Sequence, residues 1–91
     1  FTKEFFGKSM EFLSLEYSES TDDEMIFSCK FKEECSNPMG SVQGGMITAA
    51  LDDATSAAMI SGYDEKKAPM TTDLHVLFHR PLAVGPAKMK V

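Results

Sequence analysis

Apolar and polar residues alternate most regularly between Met25 and Lys32, with Met25, Phe27, Cys29 and Phe31 on one side and Ser28, Lys30 and Lys32 on the other. Such a period of two predicts a strand with one buried face. Upstream, Phe12, Leu13, Leu15 and Tyr17 are interleaved with Ser14, Glu16 and Ser18, which predicts a second strand over 10–17. The Ser20-Thr21-Asp22-Asp23 run between them reads as a turn, so the two strands should form an antiparallel hairpin. At the start of the chain Phe1, Phe5 and Phe6 fall near helical spacing before Gly7 interrupts, predicting a short helix of one or two turns packed by its aromatics.

A loop from Glu33 to Val42, in which Pro38 keeps Asn37 out of helical geometry, leads to GGMITAALDDATSAAMISGY. This stretch lacks proline, is rich in alanine and is apolar on nearly all sides from Met46 to Ile60, so it predicts one long, buried helix closed at Gly62. After a polar loop, 71–79 alternates again with Leu74, Val76 and Phe78 expected inward; Gly85-Pro86 marks a turn and 87–91 begins another strand. The fold class is therefore α+β, a single domain over 1–91. Four strands are too few to wrap a buried helix, and further C-terminal strands are expected to be missing from this chain.

Bulk properties narrow the function. A chain of 91 residues buries only about 60–65% of its unfolded surface, which makes a partner subunit plausible. The net charge is −5 and the nine Lys and Arg residues are scattered, so no basic stripe suits nucleic acid. No apolar run approaches the ~18 residues of a membrane span and no leader pattern is visible, which suggests a soluble, cytoplasmic protein. Cys29 and Cys35 have neither CxxC nor zinc-finger spacing and read as free thiols. His75 and His79 lie about 13 Å apart on a strand, too far to share a metal, so no metal is expected.

Candidate chemistry gathers on the long helix. Gly44 and Gly45 sit where loop becomes helix, and backbone N–H groups there lack intrahelical acceptors. Aimed at a carbonyl, such donors suit the oxyanion of an attacked thioester; a plain loop-to-helix turn also calls for glycine, and local sequence leaves both open. Asp52 follows seven to eight residues later, roughly 10–12 Å along the helix. A nucleophile and oxyanion donors must converge within about 3 Å of one reacting atom, so if both groups are catalytic the site is shared between two chains. Asp53 competes for the role of carboxylate. Asp52 shares its helical face with Thr48, Thr55 and Ser56, whereas Asp53 groups with Ala49, Ala57 and Ile60, and the polar stripe favours Asp52.

Three blocks in order, Asn37-Pro38-Met39-Gly40-Ser41-Val42-Gln43-Gly44-Gly45, Asp52-Asp53-Ala54, and Thr71 through Pro81 followed by Gly85, resemble the PaaI-like acyl-CoA thioesterases from about Phe5 to the last residue. The resemblance implies a hotdog fold, a curved antiparallel sheet wrapped around one long central helix. It implies a homodimer that often pairs again into a homotetramer, and hydrolysis of acyl-CoA or aryl-CoA thioesters without metal, coenzyme A being part of the substrate and no cofactor being needed. By position, Asp52 matches the catalytic nucleophile or general base and Gly44 the amide that polarises the carbonyl, with Gly45 beside it. Asn37 matches a loop asparagine that places substrate or water, and Thr71 a hydroxyl that assists at the site.

Gln43 stands where the family usually has His. Its amide can donate a hydrogen bond but cannot exchange a proton near neutral pH. A non-catalytic acyl-CoA or lipid-binding protein is thus the alternative. A hydratase or dehydratase is a third, less favoured because its relatives pair the carboxylate with a His near the helix start.

Overall fold

The computed structural model describes residues 7–62 and 69–91. In chain order it contains helix α1 (Lys8–Phe12), strand β1 (Glu16–Ser20), strand β2 (Met25–Phe31), a 3-10 turn (Glu33–Cys35), helix α2 (Gly44–Gly62) and strand β3 (Gly85–Lys90). The three strands form one antiparallel sheet in the order β1-β2-β3, and α2 lies against it.

Strand β2 follows its alternation closely. Phe27, Cys29 and Phe31 are buried toward the helix, while Lys30 is exposed. Its hairpin with β1 pairs Tyr17 with Phe27 and Ser20 with Met25, with an irregularity between Tyr17 and Glu19. The Tyr17 and Phe27 rings meet edge-on, centroids 5.9 Å apart, a favourable aromatic geometry. Thr21 closes the turn: its N–H donates to the Glu24 carbonyl at 2.8 Å and its hydroxyl accepts from the Glu24 N–H at 3.1 Å.

The segment before β1 departs from the alternating pattern. Residues 8–12 are helical rather than extended, and Ser14 takes a left-handed conformation at φ 53° before the strand begins at Glu16. The competing signal is the three-residue spacing of Met10 and Leu13, both buried, which a short helix satisfies. Phe12 is left partly exposed, with the Lys32 ammonium 4.3 Å from its ring centroid. The aromatics Phe1, Phe5 and Phe6 lie outside the described residues.

Helix α2 is long, as the sequence predicts, and turns one fully buried face to the sheet. Ala50, Ala54 and Ala57 are at most 1% exposed and Ile60 is buried beside them. Alanine on this face lets the helix axis approach the Phe27, Cys29 and Phe31 side chains closely. The remaining sides are half-covered, and Met59 is exposed.

Two further expectations are corrected. Gly85-Pro86 is not a turn before β3 but its first two residues, paired with Phe31 and Lys30. Gly85 holds φ +128°, open to glycine, and Pro86 is tolerated because β3 is an edge strand in this sheet. Residues 71–79 form no strand with any described residue, and Leu74 and Phe78 are exposed rather than inward. A strand needs a neighbour for its backbone groups, and among the described residues backbone pairing resumes only beyond this segment, where the Val42 N–H donates to the Leu82 carbonyl at 2.8 Å and Ser41 bridges Ala83.

Overpacking the alanine face should be costly: Ala54→Leu is expected to destabilise the fold by about 1–3 kcal/mol. For a domain of this size that is a fall in melting temperature of several degrees, roughly 4–8 °C per kcal/mol. An unchanged thermal transition by circular dichroism would contradict the close helix-sheet packing.

Candidate active site

The N-terminus of α2 is built by a loop that ties itself down. The Asn37 side-chain oxygen accepts from the N–H groups of Met39 at 2.9 Å and Ser41 at 3.1 Å, and its amide nitrogen donates to the Ser41 hydroxyl at 3.2 Å. Asn37 is therefore committed to loop closure by both ends of its carboxamide. The chain next reaches Gln43, whose N–H donates to the Cys35 carbonyl at 2.8 Å. The Gln43 Oε1 accepts from the Met46 N–H at 3.1 Å, which makes Gln43 the cap of the helix. Its Nε2 has no acceptor among the described residues.

Gly44 and Gly45 follow as the first two helical residues. Neither N–H has an acceptor among the described residues, so two donors remain open at the positive end of the helix dipole. The Phe78 ring covers Gly44: a Cβ built there would lie 3.4 Å from Phe78 Cζ. At Gly45 a Cβ would come within 2.7 Å of Gln43 Oε1, so a side chain there would displace the cap.

Two turns further on, Asp52 is half-buried on the side of α2 that faces residues 69–74. The Thr71 hydroxyl donates to Asp52 Oδ1, while Oδ2 has no donor among the described residues. One carboxylate oxygen is held and the other stays open. Thr55, one turn later, returns its hydroxyl to the Leu51 and Asp52 carbonyls at 2.9 and 3.0 Å, leaving the carboxylate to Thr71.

Asp53 points elsewhere. Its Oδ2 accepts from the Ser9 hydroxyl of α1 at 2.8 Å. Burial pushes the Asp53 carboxyl above its usual range; the Ser9 hydrogen bond opposes the shift and the neighbouring Asp52 charge adds to it. The carboxylate thus tethers α1 to α2.

Four of the residues singled out in the sequence line two separate depressions, and Gln43 and Gly45 line neither. One, of about 390 Å³, contains Asn37 and Gly44 with Ser41, Phe78, His79 and Arg80. The other, of about 240 Å³, contains Asp52 and Thr71 with Met59, Met70, Asp73 and Leu74. Asp52 and Gly44 do not share a depression. Phe78, His79 and Arg80 were not legible as site residues, because Phe78 and His79 read as part of a strand over 71–79 and Arg80 stands just past its end, before Pro81. Among the described residues no group of three or more His, Cys, Asp or Glu is placed to hold a metal, and no helix is long and apolar enough to cross a membrane. Cys29 and Cys35 are free and buried, and burial, then the neighbouring Cys35, pushes the Cys29 thiol up.

The chain has the hotdog fold. A solved structure of a phenylacetic acid degradation-related protein from Ralstonia eutropha JMP134, which carries a provisional thioesterase assignment, superposes on it with a TM-score of 0.82 over 89% of this chain. Sequence identity is 24%, and the chain spans 63% of that protein's length. No protein-family profile and no curated protein sequence matches it.

The position of Asp53 sets a pH dependence. A carboxyl whose folded pKa is raised contributes stability below its unfolded value, near 3.8, and loses that contribution as pH rises through the folded value. Asp53→Asn keeps the acceptor for Ser9 and removes the charge. It should raise the melting temperature at pH 7, with the gain shrinking toward pH 4; a loss at pH 7, or a gain independent of pH, would contradict the assignment.

Proposed function

We propose that this chain hydrolyses acyl-CoA or aryl-CoA thioesters as a homodimer, with Asp52 of one subunit facing the Gly44 amide of the other. The observation that carries the reading is the division of the site: an open carboxylate oxygen in one depression and open N–H donors in another, on the same helix. Eight residues of helix separate them by about 12 Å, whereas the chemistry needs both at one carbonyl. A second copy supplies the missing half in each case. Residues 71–79 support such pairing, since they lack a ladder partner among the described residues and leave Leu77 68% and Phe78 54% exposed. A neighbouring chain would bury these side chains and pair the backbone.

In the proposed reaction Asp52 Oδ2 takes a proton from water as the water oxygen adds to the thioester carbonyl. The carbonyl electron pair moves onto its oxygen, and the oxyanion accepts from the Gly44 N–H, with Gly45 alongside. Collapse of the tetrahedral adduct breaks the C–S bond, and the leaving thiolate takes the proton that Asp52 received. Direct attack by the carboxylate, through an acyl-enzyme anhydride that water then opens, uses the same two groups. Thr71 holds Asp52 in orientation. Asn37 acts by fixing the loop that presents Gly44. Gln43, with Oε1 committed to the cap, offers Nε2 as a further donor. No metal or separate cofactor takes part.

The second reading, an acyl-CoA-binding protein without turnover, is favoured by Gln43 alone, because a capping amide cannot relay a proton. Release of free CoA thiol from a panel of acyl- and aryl-CoA thioesters separates the two. Hydrolysis is expected, and Asp52→Asn, which preserves the acceptor for Thr71, should lower kcat by about 100-fold or more. Tight binding with no thiol released would establish the binding reading, and full turnover in Asp52→Asn would remove Asp52 from the mechanism.

A further inference from the structure

The two depressions differ in charge. The one around Asp52 also holds Asp73, so its wall carries two carboxylates. The one around Gly44 is lined by no acidic residue among the described residues, although the chain has 14 Asp and Glu against nine Lys and Arg. It is lined instead by Arg80, with His79 and Ser41. The Arg80 guanidinium makes no ion pair among the described residues. A thioester whose carbonyl sits at Gly44 sends its acyl group and its thiol group in different directions. An anionic thiol group is repelled by the wall of Asp52 and Asp73 and attracted to the wall of Arg80.

We infer that Arg80 binds a phosphate of the substrate's thiol half and thereby selects phosphate-bearing thioesters; the inference rests on the thioesterase reading above. A guanidinium suits this task because its planar fork donates two parallel hydrogen bonds to phosphate oxygens. The same phosphate chemistry occurs in the 4′-phosphopantetheine arm and in the nucleotide of coenzyme A. Arg80 is not a catalytic residue, since it touches no reacting atom. Its effect belongs to binding and should fall on KM.

The test uses the full chain and one acyl group on three thiols: coenzyme A, 4′-phosphopantetheine and N-acetylcysteamine, which carries no phosphate. In Arg80→Gln the ratio of kcat/KM for the CoA thioester to that for the N-acetylcysteamine thioester should fall at least about 10-fold, mainly through KM, and Arg80→Lys should recover part of it. An equal fall for the phosphopantetheine thioester assigns the shared phosphate, and a fall for the CoA thioester alone assigns the nucleotide. A ratio unchanged by Arg80→Gln overturns the inference. Should the unsubstituted chain hydrolyse none of the three, the hydrolase reading fails separately, and calorimetric titration with coenzyme A decides for Arg80: binding at least about 10-fold weaker in Arg80→Gln supports it, and equal binding overturns it.

Discussion

The rise of an α-helix, about 1.5 Å per residue, sets the distance between Gly44 and Asp52, and the candidate site is arranged around that distance. Helix α2 is held in place by its alanine face, where Ala50, Ala54 and Ala57 share one buried cluster with the β2 side chains. Its first turn is fixed by the Gln43 cap and by the Asn37 loop, so the open N–H groups of Gly44 and Gly45 have a defined direction. Because eight residues of continuous helix separate them, one chain cannot bring the glycine amides to its own Asp52. The proposed dimer is the consequence of that separation.

Two adjacent carboxylates show how local partners divide labour. Asp53 turns toward α1, takes the Ser9 hydroxyl and pays for partial burial with a raised pKa. Asp52 turns toward 69–74, takes one hydroxyl from Thr71 and keeps an oxygen open beside a depression. A rotation of about 100° between successive helical residues is enough to make one a structural tether and the other a candidate base. Among the described residues the wall charges then differ from one depression to the other, acidic beside Asp52 and without acid beside Gly44.

Much of this was legible in the chain. The period of two in β2 and the alanine-rich helix are local patterns, and both survive in the fold. Where non-local partners decide, the patterns mislead. Met10 and Leu13 satisfy a short helix instead of the strand suggested by Leu13, Leu15 and Tyr17. Leu74, Val76 and Phe78 alternate like a buried strand, yet no described residue pairs with that segment, and Leu74 and Phe78 stay exposed. The cap made by Gln43 and the loop closure made by Asn37 were hidden because a polar side chain's partner is not written in its own position. Arg80 was hidden for a simpler reason: beside Pro81 it reads as punctuation.

The shared site can be tested by complementation between two defective chains. Gly44→Pro removes the N–H at the first helical position, where proline is well tolerated, and Asp52→Asn removes the base. Each variant alone should be inactive. In an equal mixture assembled by co-expression, half of the dimers are mixed and each restores one of two sites, so activity should return to about one quarter of the unsubstituted protein's. A mixture as inactive as its components would contradict a site built from Asp52 of one chain and Gly44 of another.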